Sequence, residues 1–238
     1  MPVVQKLPCR VEQITDHGDH VYTVDLASRR PLPRFRPGQF LHLALDSYDP
    51  SGFWPDSRVF SIASDPADRN HLRLSYSVKG AFTGRMEREL VPGREVWVKL
   101  PYGQFEIDPT RDAILVAGGT GITAFTAFIA SLRPGDSRQV ILLYGARKPA
   151  LFLYASLIRQ KQAETASFSA VYFSEQPAPG MEDVQSGMLN LDALLGAASR
   201  LHQPNFYLAG PPAMQAAFNQ GLLASGIPAE QVHQDAWE

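Results

Sequence analysis

What this sequence lacks narrows its chemistry before any motif is read. Cysteine occurs once in 238 residues, at Cys9. No internal disulfide can form, and a cluster that takes four cysteine thiolates is excluded. A lone thiol with no histidine beside it reads as inert rather than nucleophilic. Long apolar runs are missing as well: no stretch approaches the ~20 apolar residues of a membrane-spanning helix, and the opening MPVVQKLPCR has no apolar core behind a basic start. The expectation is a soluble monomer in a reducing compartment, the cytoplasm, with no membrane span. An excess of one charge is absent too. The 22 Lys and Arg against 24 Asp and Glu leave a net charge of -2, which argues against a nucleic-acid surface or a polybasic tether. No serine stands in a GxSxG elbow, so the commonest hydrolase signature is gone. His17 and His20 share a polar loop without a Cys, His or Glu at metal-ligand spacing; a solvated loop explains them, and no metal is expected.

What is present is enough apolar residue, 45% of the chain, to fill a sizeable core. Up to about Phe105 the chain shows short alternating or β-branched runs: Val21 to Leu26, Gln39 to Leu45, Leu72 to Val78 and Glu95 to Leu100. Punctuation such as Arg36-Pro37-Gly38 and Val91-Pro92-Gly93 separates them, a rhythm that predicts a small all-β barrel or sandwich, the antiparallel barrel being preferred. Thr83 to Leu90 reads as one short helix with Thr83 as its N-cap. After Asp108-Pro109 the pattern changes. Apolar strands at Ala113 to Ala117, Val140 to Tyr144, Ser169 to Phe173 and Asn205 to Ala209 alternate with helical segments at Thr123 to Leu132, Leu151 to Gln162, Leu191 to Ala198 and Pro212 to Ser225. Such alternation implies a parallel sheet covered on both faces. The expected architecture is therefore two domains, an all-β domain over residues 1–107 and an α/β domain with a parallel sheet over 108–238.

Four segments carry chemistry. Arg58-Val59-Phe60-Ser61 lies on a barrel strand, where Arg58 and Phe60 share a face and Ser61 turns the other way. Such a strand offers a guanidinium to a phosphate and a ring to a flat heterocycle; a surface arginine in a salt bridge is the plainer alternative. Val78-Lys79-Gly80-Ala81-Phe82-Thr83 runs into the short helix, whose unpaired N–H groups and positive end suit an anion. A simple strand-to-helix turn fits it equally. Gly118-Gly119-Thr120-Gly121-Ile122-Thr123 ends the first apolar strand, at the sheet edge where open α/β folds bind ligands. Its spacing is not GxGxxG, no Lys follows as in a P-loop, and the second strand ends in Gly145-Ala146-Arg147-Lys148 with no acid for a ribose. A dinucleotide and a tight structural turn both remain open there. Ala209-Gly210-Pro211-Pro212 closes another strand on the same edge and opens the last long helix.

Taken in order, these segments resemble the ferredoxin-NADP reductase superfamily over nearly the whole chain. Phe35 to Phe40 looks like the family's FxPGQF, Arg58 to Ser61 like its RxYS, Gly80 to Thr83 like its GxxS, and Pro101 to Phe105 like its PxGxF. Gly118 to Ile122, Tyr144 to Arg147 and Gly210-Pro211 look like its nicotinamide-domain turns. The resemblance implies a flavoenzyme that takes a hydride from NADH or NADPH onto FAD, with FMN the less favoured flavin. Electrons would pass on to a ferredoxin, an oxygenase or a small acceptor. It further implies that Arg58 binds the flavin pyrophosphate, that Val59 and Phe60 pack on the isoalloxazine, and that Ser61 reaches its N5 edge. Tyr76, Ser77 and Val78 would line the ring, and Gly80, Ala81, Phe82 and Thr83 would surround the phosphates. Gly119, Thr120 and Gly121 would cradle the nicotinamide half, Gly145 and Arg147 would lie near the adenosine half, and Gly210, Pro211 and Met214 would flank the cleft. Asp235-Ala236-Trp237 looks like the family's acidic-x-aromatic ending, so Ser61, Thr120 and Trp237 are the residues expected beside the reacting atoms.

Three positions depart from the family pattern. Phe60 stands where a Tyr is usual and removes a hydroxyl from the ribityl chain, leaving the stacking. Ala209 stands where a Cys precedes the Gly-Pro turn, and the Lys79-Gly80 loop is short. Arg147 and Lys148 suit a 2′-phosphate, whereas Glu175 would repel one, which favours NADH. A second reading is an electron-transfer subunit or dinucleotide-sensing module of a larger assembly.

Overall fold

The computed structural model describes residues 3–235; Trp237 lies outside them. The chain divides into two compact units between Glu106 and Ile107.

The first unit holds strands β1 (Gln5–Asp16), β2 (Val21–Ser28), β3 (Phe40–Ala44), β4 (Ser57–Ser61), β5 (His71–Ser77) and β6 (Glu95–Tyr102), with helix α1 (Ala81–Glu89) between the last two. They pair antiparallel in the order β4-β3-β6-β1-β2-β5. The chain leaving β4 returns to β5 through an Ala63 N–H bond to the Arg73 carbonyl at 2.8 Å, so the sheet nearly closes into a barrel. The core is the inward half of each alternation, including Leu7, Val24, Leu41, Leu43, Leu72, Leu74 and Val98. Strand β1 escapes the sequence reading because Lys6, Arg10 and Glu12 interrupt its apolar positions and its register shifts between Val11 and Gln13. Cys9 is buried on that strand, and burial pushes its thiol up to about 12, so it stays protonated and inert at neutral pH.

Helix α1 begins two residues before the expected cap. Gly80 is the N-cap, and Thr83 sits inside the first turn, where its Oγ1 accepts the N–H groups of Lys79 and Gly80 at 2.9 and 3.1 Å. A glycine cap has no side chain to accept the first helical N–H groups, and the Thr83 hydroxyl reaches back only to the N–H groups that precede them.

The second unit holds β7 (Ala113–Gly118), a 3₁₀ turn (Gly119–Ile122), α2 (Thr123–Ser131), β8 (Val140–Ala146), α3 (Ala155–Glu164), β9 (Phe168–Ser174), β10 (Val184–Ser186), α4 (Leu191–Ala198), β11 (Asn205–Ala209), α5 (Pro212–Ala224) and β12 (Val232–Gln234). Its six strands run parallel in the order β10-β9-β8-β7-β11-β12. Ile114, Val116, Leu143, Phe206 and Leu208 pack on one face with Leu194 of α4 and Phe218 and Leu222 of α5. The alternate residues Leu115, Leu142, Tyr144 and Tyr207 are also fully buried, which is why these strands read as unbroken apolar runs. Helix α3 starts later than expected because Pro149–Leu151 forms a 3₁₀ turn and Tyr154 takes a left-handed φ of 60°. The Tyr144 hydroxyl holds that detour, accepting the Leu153 N–H at 3.0 Å and donating to the Leu151 carbonyl at 3.2 Å. Strands β10 and β12 are three residues each, too short for an alternation to show. No helix among the described residues is long and apolar enough to cross a membrane.

Candidate functional site

Two sets of residues stand out, one in each unit. In the barrel the set begins with strand β4. Arg58 is exposed, Phe60 half-buried and Ser61 buried, the alternation a strand imposes. The Arg58 guanidinium contacts Asp56 at 3.0 Å and the Ser57 carbonyl at 2.8 Å, and it lies 5.4 Å from the centre of the Phe82 ring on α1. Both partners of the ion pair are more than half exposed, so it is weak and can yield to a stronger anion. Phe60 meets Tyr76 of β5 edge-on at 6.3 Å, and Tyr76 stacks at 5.4 Å on Tyr22, its direct cross-strand partner on β2. The result is an aromatic row, Phe60-Tyr76-Tyr22, running beneath α1.

The turn from Ser77 and Val78 to Thr83 is the polar half of this site. Because Thr83 Oγ1 takes the Lys79 and Gly80 N–H groups, the donors left are those of Ala81, Phe82 and Thr83, which find no acceptor among the described residues. Three N–H groups at the positive end of a nine-residue helix offer donors to an anion, with Arg58 beside them. Gly80 has nothing within 4 Å of where a Cβ would stand, leaving open space over the turn. Ser64, three residues past β4, buries its Oγ with no partner among the described residues. Ring-sized aromatic surface, a guanidinium, unpaired N–H donors and a spare hydroxyl together match the chemistry of a flavin nucleotide.

In the α/β unit the register aligns Gly118 with Gly145, Ala146 with Ser174 and Ala209 with Ala117. The two glycine turns therefore share the carboxyl edge of the sheet, as the ligand sites of open α/β folds do. They also interlock. A Cβ on Gly121 would stand 2.4 Å from the Ala209 carbonyl oxygen, one on Gly118 would stand 2.6 Å from the Met214 sulfur, and one on Gly210 would stand 2.7 Å from Met214 Cε. Of the three residues expected to cradle a ligand, Gly121 is thus fixed by packing. Gly119 has no neighbour within 4 Å of its absent side chain and a φ of +54°, and Thr120 is half-exposed next to it. The open part of the turn is Gly119-Thr120. Pro211 is exposed and Met214 half-buried, on the far side of the turn.

Arg147 follows β8 and is exposed. Its carbonyl accepts the Gln176 N–H at 3.0 Å, and the Glu175 N–H reaches the Ala146 carbonyl at 3.2 Å, so Arg147 and the exposed Glu175 leave the sheet side by side. One buried residue was not singled out in the sequence: Gln215 donates through Nε2 to the carbonyls of Gly210 at 2.9 Å and Asp235 at 3.2 Å, bracing the second glycine turn against the strand beyond β11. An isolated glutamine in a helix gives no warning of that role.

The barrel holds three further unforeseen residues. His20 Nδ1 lies 2.7 Å from Glu87 Oε1, and the Tyr22 hydroxyl donates to the same oxygen at 2.9 Å. The partner that His20 lacks locally is supplied 67 positions away. His17 instead pairs with Thr23 at 2.9 Å, and no group of three or more potential metal ligands exists among the described residues.

Residues 115–220 match the oxidoreductase NAD-binding domain family. The reductase component of phenol 2-monooxygenase from Pseudomonas sp. is 30% identical over 210 residues, covering 86% of this chain and 58% of that protein. The reductase component of propane 2-monooxygenase from Rhodococcus jostii is 27% identical over 243 residues, covering 98% of this chain and 64% of that protein. The chain thus spans less than two thirds of the length of these relatives. Among solved structures, an Amycolatopsis cytochrome P450 reductase is similar in fold, with a TM-score of 0.79 at 22% identity over 99% of this chain and 70% of that one.

Proposed function

We propose that the chain belongs to the ferredoxin-NADP reductase superfamily and is an NAD(P)H-dependent flavin reductase that delivers electrons to a separate acceptor. Bound FAD would supply acceptance of a hydride's two electrons and their release one at a time. The chain's own part is to hold and orient. Arg58 exchanges its exposed Asp56 contact for the pyrophosphate, which the N–H groups of Ala81, Phe82 and Thr83 also meet. Phe60, with Val59 beside it, and the Tyr76-Ser77-Val78 strand end present the ring surface, and the buried Ser61 hydroxyl serves the reactive edge. Gly119 and Thr120 receive the nicotinamide half of the donor, with Gly121, Gly210, Pro211 and Met214 shaping the turn behind them. Gly145, whose absent Cβ makes room for Leu189, and Arg147 take the adenosine half. No side chain is required as an acid or base; alignment is the catalytic contribution.

The observation that carries this reading is the conjunction at α1: three unpaired N–H donors, a guanidinium and an aromatic row on one barrel face. The test is colour. The purified protein should be yellow, or turn so with added FAD, and bleach when NADH is added without oxygen; a colourless protein that no flavin restores ends the proposal.

The acceptor is an oxygenase component, a reading supported by the two relatives that are reductase components of monooxygenases. NADH is the preferred donor, because the Glu175 carboxylate beside Arg147 opposes a 2′-phosphate. The second reading, a subunit active only within a larger assembly, is favoured by one fact: a single cysteine cannot hold an iron-sulfur cluster of four thiolates, so the one-electron wire would be a partner's. Reduction of ferricyanide but of no soluble protein carrier would select it.

A further inference from the structure

The segment that forms the barrel site begins and ends on the same two residues. At its start, Tyr76 stacks on Tyr22 at 5.4 Å, and the Val78 N–H bonds to the His20 carbonyl at 3.0 Å. The chain then makes the Lys79 to Thr83 turn and runs along α1. Its far end returns through Glu87, whose Oε1 takes the Tyr22 hydroxyl at 2.9 Å and lies 2.7 Å from His20 Nδ1. Nothing in the local sequence demands this: a nine-residue helix with glycine for its N-cap is a poor helix on its own. Its anchors are Phe82 and Met86 in the core, the Arg58 contact on Phe82, the Arg85–Asp46 and Arg94–Glu89 ion pairs, and the Glu87 pair of bonds.

We propose that Glu87 is a positioning residue for the flavin, a latch that closes the Tyr76–Glu87 segment on His20 and Tyr22 and so aims the N–H groups of Ala81, Phe82 and Thr83 at the pyrophosphate. The inference rests on the flavin reading above. Hydrogen bonds from His20 and Tyr22 hold the Glu87 carboxyl below the usual carboxylate range, as an acceptor of two donors should be. Glu87 would touch neither flavin nor phosphate. Its effect passes through the angle of α1 and the ring of Tyr76.

The sign of one mutation separates this role from plain electrostatics. Removing a carboxylate near a pyrophosphate would, by charge alone, tighten FAD binding. A lost latch loosens it instead. Titration of apoprotein with FAD, followed by flavin fluorescence, should show Glu87→Ala binding about tenfold more weakly than wild type. Glu87→Gln, which keeps an oxygen for the Tyr22 hydroxyl, should stay within about threefold. Tyr22→Phe keeps the ring on Tyr76, loses the hydroxyl, and should fall between the two, which also covers the case in which Glu87→Ala fails to fold. In apoprotein, hydrogen exchange over residues 81–89 should quicken in Glu87→Ala while the β2 and β5 amides stay protected. Wild-type affinity or tighter in Glu87→Ala, or unchanged exchange in α1, overturns the latch and leaves the flavin reading intact. A wild-type protein that refuses FAD removes the flavin reading, and the positioning role falls with it.

Discussion

The two units build their candidate sites from different materials. The barrel uses side chains: the Arg58 guanidinium, the rings of Phe60, Tyr76 and Tyr22, and the Thr83 hydroxyl, around a glycine with empty space above it. The sheet edge uses backbone, and at glycines 118, 121 and 210 an atom of Met214 or Ala209 lies within 2.7 Å of where a Cβ would stand. A side-chain site can be retuned one residue at a time, since each group acts by its own chemistry. A backbone site is part of the fold, and changing it changes the unit that carries it. The departures from the family pattern fit this division: Phe60 keeps the ring and loses a hydroxyl, and Ala209 keeps a small buried residue against Gly121.

The sharpest way to break that comparison is Gly121→Ala. The added methyl would meet the Ala209 carbonyl and the Gly210 nitrogen, both backbone, at 2.4 and 2.6 Å, so a strand end must move. The expected cost is about 3 kcal/mol, read as an earlier urea transition of the second unit. Cys9 reports on the barrel alone, and its thiol should stay unreactive to iodoacetamide through that transition. A variant as stable as wild type would mean the turn is free to adapt.

Next in size is Arg58→Ala. An exposed arginine in a weak ion pair contributes little to the fold, so the melting temperature should hardly change. Loss of a charge-assisted contact to a pyrophosphate should raise the FAD dissociation constant about thirtyfold, corresponding to ~2 kcal/mol. Unchanged affinity would return Arg58 to a surface role. On the sheet edge the proposed preference for NADH rests on a side chain, and Glu175→Arg should shift the ratio of kcat/KM values for NADPH and NADH about tenfold toward NADPH. No shift would place the 2′ position elsewhere.

How much of this was legible differs between the units for a physical reason. The parallel strands β7, β8 and β11 were readable because burial on both faces leaves them almost wholly apolar, and their order brought the glycine turns to one edge. In the barrel, the one-sided alternation of β1 was hidden by Lys6, Arg10, Glu12 and a register shift. Candidate site residues that announce themselves by type and local spacing, such as Arg58 and the Gly80 to Thr83 turn, could be named from the sequence. His20, Tyr22 and Glu87 could not, because their meaning is a contact across 65 and 67 positions that only pairing of β2 with β5 and return of α1 create. Thr83 was assigned the right region and the wrong place in the helix, since a hydroxyl serves equally as cap or as inner acceptor until the helix start is known.

Gly80→Ala is the smallest perturbation and the closest counterpart to Gly121→Ala. Gly80 has an extended backbone that any residue adopts, and its new methyl would meet nothing. Alanine is a poorer cap than glycine, while the restricted unfolded chain compensates, so stability should stay within about 0.5 kcal/mol of wild type. If a pyrophosphate lies against that turn, the methyl projects into the space the ligand needs, and FAD affinity should drop about threefold with the fold untouched. The same substitution then separates the two uses of glycine in one protein: required by packing at 121, required by a ligand at 80. Equal FAD affinity in Gly80→Ala and wild type would leave the open space above the turn without a tenant and move the pyrophosphate toward Arg58 alone.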